Sequence, residues 1–154
     1  MGARGTIGFA SLAFLLSLTL APADVAAGER EVRDQTLPGC GICYPGGYDV
    51  NTVGDVRGIV VEIQSPAEGP VRVVVVGEGE RWVVLASPSW FLKSARLRLA
   101  PGDAVVVHGS KTLGADGTLY LIAREIRPPD DAPVVVLRDR RGVPLWSGGH
   151  RRQR

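Results

Sequence analysis

The sequence predicts an all-β protein built around one small closed barrel. From residue 52 to residue 146, short runs of β-branched residues alternate with turn residues such as Gly, Pro and Asp, a pattern typical of strands joined by tight connections. Only one short segment has helical character. Gly54 and Gly58 lie within the first run, and glycines there favour closure, because a barrel needs sharper bends than a flat sheet. Hydrophobic residues make up 45% of the 154 residues, which is enough for a core.

Five strands are predicted in the region 52–127. They fall at residues 53–63, 71–76, 81–86, 104–109 and 118–127. The short turn between the second and third strands implies an antiparallel hairpin. The fourth strand begins after the turn-forming pair Pro101 and Gly102, and Gly109 is predicted to end it.

A short helix is predicted between the third and fourth strands. Ser87 or Ser89 can cap it, Pro88 suits a first helical turn, and residues 90–92 give it an apolar side. The order of elements along the chain, three strands followed by a helix and two further strands, is that of the OB-fold, a five-stranded Greek-key barrel. Another small barrel or an open antiparallel sheet is the alternative.

Beyond the barrel, the proline-rich residues 128–133 lead into a second short β-rich stretch. Strands at 134–137 and 143–146 with a turn between them predict an appended C-terminal hairpin. So few residues cannot bury a core of their own, so the linker and hairpin, 128–147, are expected to pack on the barrel.

The first 27 residues have the features of a signal peptide. Arg4 supplies a positive charge, residues 7–20 form an apolar run too short for a comfortable membrane span, and small residues allow cleavage after residue 23 or residue 27. An uncleaved membrane anchor is the alternative. We therefore expect a periplasmic or secreted mature chain with no transmembrane span.

Residues 28–51 are poor in apolar residues and rich in Gly, Pro and charge, which predicts a flexible leader outside the barrel. The leader contains Cys40 and Cys43. In an exported protein the default for such a pair is a disulfide. The alternatives are a redox pair, a copper or zinc site completed by His108 or His150, or two thiols without a function. A lone histidine on a strand is more often structural than a ligand, and Tyr44 stands where a haem attachment motif has histidine.

The aromatic and basic residues of the barrel raise the question of nucleic-acid binding, because OB-folds stack bases on exposed rings within a basic groove. The candidates for such a surface are Trp82, Tyr120, Arg72, Arg81 and Arg124. Glutamates are interleaved among these arginines and dilute the positive field that phosphates need. This argues against nucleic acid as a partner and favours core packing as the use of the rings of Trp82, Trp90, Phe91 and Trp146.

The C-terminal end of the chain is basic. From residue 138 onward, one acid, Asp139, is set against six arginines. These are Arg138, Arg140, Arg141, Arg151, Arg152 and Arg154. The last three of these arginines lie in a basic tail at 148–154. The excess of positive charge predicts contact with anionic lipid, an acidic protein or a polyanion. The alternative is a terminus that is simply solvated.

Several short motifs resemble the MamS/MamX type of magnetosome-associated protein, a family of small exported bacterial proteins with an OB-like domain. The motifs are Trp90-Phe91-Leu92, Leu99-Ala100-Pro101-Gly102-Asp103, Leu121-Ile122-Ala123-Arg124-Glu125-Ile126, Leu137-Arg138-Asp139 and Gly142-Val143-Pro144-Leu145-Trp146. The resemblance covers roughly residues 48–146. It implies the fold, and its motifs carry no catalytic residues.

No nucleophile elbow, phosphate loop or metalloprotease signature occurs in the sequence. The sequence therefore predicts a non-enzymatic, exported OB-fold binding or accessory module, without a cofactor, that docks with a protein or a small ligand in the cell envelope. The alternative is a periplasmic redox or metal-handling factor that uses Cys40 and Cys43. Single-stranded nucleic-acid binding is a lesser alternative.

Overall fold

The computed structural model describes Gly2, residues 33–130 and residues 132–147. The predicted signal peptide, except for Gly2, lies outside these residues, and so do His150, Arg151, Arg152 and Arg154. None of the described helices is long and apolar enough to cross a membrane.

The described chain contains eight strands and one α-helix. The strands are β1 (Gln35–Thr36), β2 (Cys43–Tyr44), β3 (Val53–Gln64), β4 (Arg72–Gly77), β5 (Glu80–Leu85), β6 (Ala104–Leu113), β7 (Leu119–Arg127) and β8 (Val135–Val136). The helix α1 (Ser89–Ser94) lies between β5 and β6, and a 3₁₀ turn (Val50–Thr52) precedes β3. The predicted helix is therefore confirmed, and the five predicted strands correspond to β3–β7.

Strands β3 to β7 form a closed barrel. The order across the sheet is β5-β4-β3-β6-β7, and β5 also pairs with β7 in parallel, which joins the two edges. Every other pairing among these five strands is antiparallel. This closure, with α1 between the third and fourth barrel strands, is the arrangement of an OB-fold. The predicted fold class is confirmed.

The barrel core is made of aliphatic side chains. Val60, Val75, Val84 and Leu121 are fully buried there, as expected for positions that alternate inward along each strand. Burying one such side chain contributes about 1.5–3 kcal/mol to folding. These four residues lie on four different strands, so the closed sheet shares one core.

Strand β6 is longer than the sequence predicts. Gly109 was expected to end the strand, but β6 continues to Leu113. The pairing of β6 with β7 shifts register here: His108 pairs with Glu125 and Gly109 with Ala123, so Arg124 on β7 is the extra residue of a β-bulge. Gly109 lies where the backbone of β7 approaches closely. Glycine suits such an approach as well as a turn, and the local sequence does not distinguish the two.

Residues 33–51 are folded against the barrel, which corrects the prediction of a leader outside the core. Strands β1 and β2 form a hairpin, and Leu37, Cys40, Ile42 and Tyr44 are buried members of the core. The Tyr44 hydroxyl donates a hydrogen bond to the Ala86 carbonyl at 2.8 Å. Charge and glycine dominate the composition of the segment, but its few apolar residues alternate, and this alternation is what allows the segment to pack.

The C-terminal segment also packs on the barrel. Strand β8 pairs with β7, and the second strand of the predicted hairpin is reduced to one bridge between Arg138 and Pro144. Leu137 and Trp146 are buried, and the Leu145 amide donates to the Leu137 carbonyl at 3.0 Å. The N-terminal and C-terminal segments thus meet on the outside of the barrel.

Candidate functional site

A cleft lies where the N-terminal segment, the β3–β4 loop and the start of α1 come together. Its volume is about 400 Å³. Its lining includes Arg33, Tyr44, Pro45, Pro66, Glu68, Pro88 and Trp90. Three prolines and the half-exposed Trp90 ring give this cleft stiff apolar surface, while Arg33 and Glu68 provide charge. We call it the Trp90 cleft.

Trp90 is the exposed aromatic side chain of the cleft. Its side chain is 46% exposed, and its ring meets Phe91 edge to face at a centroid distance of 5.9 Å. Phe91 in turn lies 5.5 Å from Trp146, and Trp146 stacks on Tyr44 at 6.3 Å. The half-exposed Trp90 is therefore supported by a chain of packed rings that reaches into the core.

Arg138 lies at the inner end of this aromatic chain. Its side chain is 1% exposed, which corrects its assignment to the basic tail. Its Nη1 donates to the carbonyls of Pro45 and Gly142, both at 2.9 Å. Its guanidinium lies 5.1 Å from the ring centroid of Trp146. Burial lowers the pKa of Arg138, and the partial negative charge of the Tyr44 phenol opposes this shift.

The guanidinium of Arg138 joins the two appended segments. Pro45 and Tyr44 belong to the N-terminal segment, and Gly142 and Trp146 belong to the C-terminal one. The Tyr44 ring centroid lies 5.5 Å from the guanidinium carbon. Such cation–π contacts are strongest where water is excluded. Arg138 therefore holds the wall of the Trp90 cleft in place, and the sequence shows no sign of this role, because it depends on contacts between distant segments.

The structure places both rings of the candidate base-stacking surface in the core. Trp82 and Tyr120 are 8% and 5% exposed and belong to the core. The Trp82 indole donates to Glu80 at 3.1 Å, and the Tyr120 hydroxyl donates to Asp116 at 2.9 Å. Burial, assisted by this carboxylate, raises the pKa of Tyr120 to about 12. Neither ring is free to stack on a base.

The three arginines predicted for that surface do not form a basic groove. Arg81 pairs with Glu62 at 3.5 Å, and Arg124 pairs with Glu125 at 2.7 Å. Arg72 is partly buried. Two of the three are therefore engaged with carboxylates, which reduces the local positive field.

The two cysteines are separate free thiols. Cys40 is buried and Cys43 is exposed, because alternation along the segment turns Cys40, Ile42 and Tyr44 towards the barrel and Cys43 away from it. The predicted disulfide is not formed in the structure. Within the described residues, no group of three or more His, Cys, Asp or Glu side chains is arranged to hold a metal ion, and the copper or zinc site stays a prediction.

His108 lies in a row of polar side chains that crosses three strands. It is paired in register with Asp55 on β3 and with Glu125 on β7. Its Nδ1 lies 2.7 Å from Asp55 Oδ1, and these residues line a cleft of about 230 Å³. The hydrogen bond from His108 holds the pKa of Asp55 below its ordinary value. His108 therefore has a structural partner.

We expect the Asp55–His108 pair to make stability depend on pH in the acid range. Because the folded-state pKa of Asp55 is lowered, the pair stabilises the fold above about pH 4, and this contribution is lost as the pH falls through the folded-state pKa. The Asp55 side chain is 47% exposed, so solvent screening keeps the contribution below about 1 kcal/mol. Urea denaturation across pH should show a shallower acid decline for Asp55→Asn than for the native chain. Glu78→Gln, in the β4–β5 turn, is the control, and equal acid slopes for Asp55→Asn and the native chain would contradict the expectation.

The class of protein follows from the barrel: the chain is a small OB-fold-like protein with two segments packed on its outer face. The chain belongs to the MamS/MamX magnetosome protein family, whose model matches residues 51–132. This confirms the resemblance found in the sequence motifs.

No curated protein matches the chain. Among solved structures, it is similar to a chain of the S. pombe Stn1-ten1 complex, with 21% sequence identity and a TM-score of 0.40. The match covers 51% of this chain and 59% of that one.

Proposed function

We propose that this protein is a non-enzymatic accessory module of the cell envelope that binds a partner protein through the Trp90 cleft. The half-exposed Trp90 in the wall of this cleft is the observation that carries the proposal. Tryptophan is the side chain most enriched among residues that dominate binding energy at interfaces. Membership of a magnetosome protein family is consistent with a role in an assembly of proteins.

The lining of the cleft favours an extended segment of the partner as the occupant. Pro45, Pro66 and Pro88 line the cleft together with the half-exposed Trp90, and grooves lined by aromatic rings are used to dock extended, proline-containing peptides. The walls are also stiff, because proline restricts the backbone and Arg138 joins the segments behind the cleft. A preorganised groove loses little entropy on binding.

The predicted export of the chain supports the location in the cell envelope. The signal-peptide pattern in residues 1–27 would deliver the module to the periplasm or the medium. Of the arginines predicted for the basic C-terminal end, the described Arg140 and Arg141 are exposed at the turn before Gly142, where they can make a second contact with an anionic surface.

The Trp90→Ala variant tests the proposal. We expect it to lower the affinity for the partner by more than about tenfold, the loss typical of removing a central interface tryptophan. Photocrosslinking in the envelope fraction identifies the protein captured, and titration of that purified protein measures the affinity.

The control is Leu113→Ala, which removes an exposed apolar side chain outside the cleft, one that is 64% exposed. It should bind the partner as the native chain does. Equal affinities for Trp90→Ala and the native chain would overturn the assignment of the cleft. Capture of a small molecule in place of a protein would overturn the choice of occupant.

A further inference from the structure

The tip of the β1–β2 hairpin presents one cysteine to the barrel. The Leu37 amide donates to the Ile42 carbonyl at 2.8 Å, and the Gly41 amide donates to the Leu37 carbonyl at 3.0 Å. Gly39 and Gly41 have φ values of +84° and +68°, which other residues rarely adopt. These two glycines set the path of the tip and place Cys40 between them.

Cys40 is docked on the loop between β6 and β7. The Ala115 amide donates to the Cys40 carbonyl at 2.9 Å, and the Cys40 side chain is 3% exposed. The thiol lies 3.8 Å from the Leu37 carbonyl oxygen, and it contributes to the raised pKa of Tyr120, which places it near that ring. The buried thiol is thus part of the contact between the hairpin tip and the barrel.

Cys43 lies in β2, and its side chain faces solvent, whereas that of Cys40 faces the barrel. It is exposed, while its neighbours Ile42 and Tyr44 are buried. Two cysteines three positions apart are close enough along the chain to form a disulfide, but the docked hairpin holds their side chains on opposite faces. A bond between them therefore requires Cys40 to leave its place in the core.

We propose that Cys43 is a site of reversible thiol–disulfide exchange with a low-molecular-mass or protein disulfide, that Cys40 is the resolving thiol, and that oxidation undocks the hairpin tip from the β6–β7 loop. The Cys43 thiolate attacks one sulfur of the partner disulfide, which gives a mixed disulfide and releases one partner thiolate. Cys40, as thiolate, then attacks the Cys43 sulfur and releases the second. The two cysteines lose two electrons and two protons, and the partner disulfide is reduced to two thiols.

The native fold favours the reduced pair. The docked position of Cys40 exists only while its thiol is unbonded, so folding stabilises the dithiol and oxidation destabilises the fold. By thermodynamic linkage, the disulfide is easier to reduce in the folded chain than in the unfolded chain. A conventional structural disulfide behaves in the opposite way, because folding stabilises it.

The experiment uses glutathione buffers of defined ratio as the probe. The purified chain is equilibrated in each buffer, once under native conditions and once in concentrated urea, and free thiols are trapped by alkylation and counted by mass spectrometry. We expect the equilibrium constant for reduction to be at least about tenfold more favourable in the native chain. The oxidised chain should also melt at a lower temperature than the reduced one.

Two variants separate the roles of the thiols. Cys40→Ser should stop at the mixed disulfide between Cys43 and glutathione, because it lacks the resolving thiol. Cys43→Ser should remain unmodified while folded, because its remaining thiol is buried. An equal or less favourable reduction constant in the native chain overturns the proposal, and so does rapid modification of Cys40 in folded Cys43→Ser.

Discussion

Replacement of Arg138 by alanine is expected to destabilise the fold by about 3–5 kcal/mol. The change removes the donor that serves the carbonyls of Pro45 and Gly142. A buried carbonyl left without a partner costs about 1–3 kcal/mol, and truncation of a large buried side chain adds the cost of a cavity. The loss is a large fraction of the 5–15 kcal/mol that typically stabilises a domain. Chemical denaturation, monitored by circular dichroism, measures it.

Two further variants show which property of Arg138 matters. Arg138→Met retains much of the side-chain volume without the hydrogen-bond donors, so it should lose less stability than Arg138→Ala. The difference between the free energies of unfolding of the two variants gives the cost of the cavity. Arg141→Ala is the matched control, because this neighbouring arginine is exposed, and surface substitutions usually change stability by less than about 0.5 kcal/mol. Native-like stability of Arg138→Ala would contradict the role assigned to the guanidinium.

Replacement of Gly109 by alanine is expected to cost about 3 kcal/mol and to loosen the barrel between β6 and β7. A β-carbon at this position would lie 2.2 Å from the Ile122 carbonyl oxygen, a backbone atom that can move only if the two strands separate. Crowding in a packed interior typically costs 1–3 kcal/mol, and more where the backbone must shift. The midpoint of urea unfolding should fall, and amide hydrogens at the bulge should exchange faster.

Gly54 provides the control for this substitution. It lies directly opposite Gly109 in the register of β3 and β6. A β-carbon there would meet only the flexible end of the Lys111 side chain, at 3.2 Å and beyond. Gly54→Ala should therefore be neutral or slightly stabilising, because alanine loses less backbone entropy on folding. If both variants lost equal stability, close backbone contact would not be the reason that Gly109 is required.

These two predictions concern different parts of the molecule. Gly109→Ala disturbs the barrel itself, whereas Arg138→Ala disturbs the two segments packed on it and, through Pro45, one wall of the Trp90 cleft. We therefore expect Arg138→Ala to weaken partner binding at temperatures where the barrel is still folded. Mutations in the barrel core should affect binding only through global unfolding.

The barrel could be predicted from the sequence because its signals are local. Alternating β-branched residues define β3 to β7, and the segment from Pro88 to Leu92 indicates the only described α-helix. The motifs that resemble the MamS/MamX family lie mostly in this region, which is also where the family model matches. Periodicity and turn chemistry depend on neighbouring residues, so they can be read along the chain.

The location of the candidate site was decided by the tertiary structure. Trp82 and Tyr120 were candidates for a binding surface because alternation along a strand does not show which of its faces is covered, and in the structure both rings belong to the buried core. Arg138 resembled part of a basic tail because its partners are far away in sequence, with Pro45 separated from it by 93 positions. The opposite orientations of Cys40 and Cys43 follow from docking on the β6–β7 loop.

The sequence by itself thus determined the strand order, the helix and the family, because these depend on residues close together in the chain. Only the tertiary structure decided which polar and aromatic side chains are buried, and therefore which remain to bind a partner. The physical reason is that burial is a property of contacts between segments distant in sequence, and two segments expected to lie apart from the core are packed on this barrel.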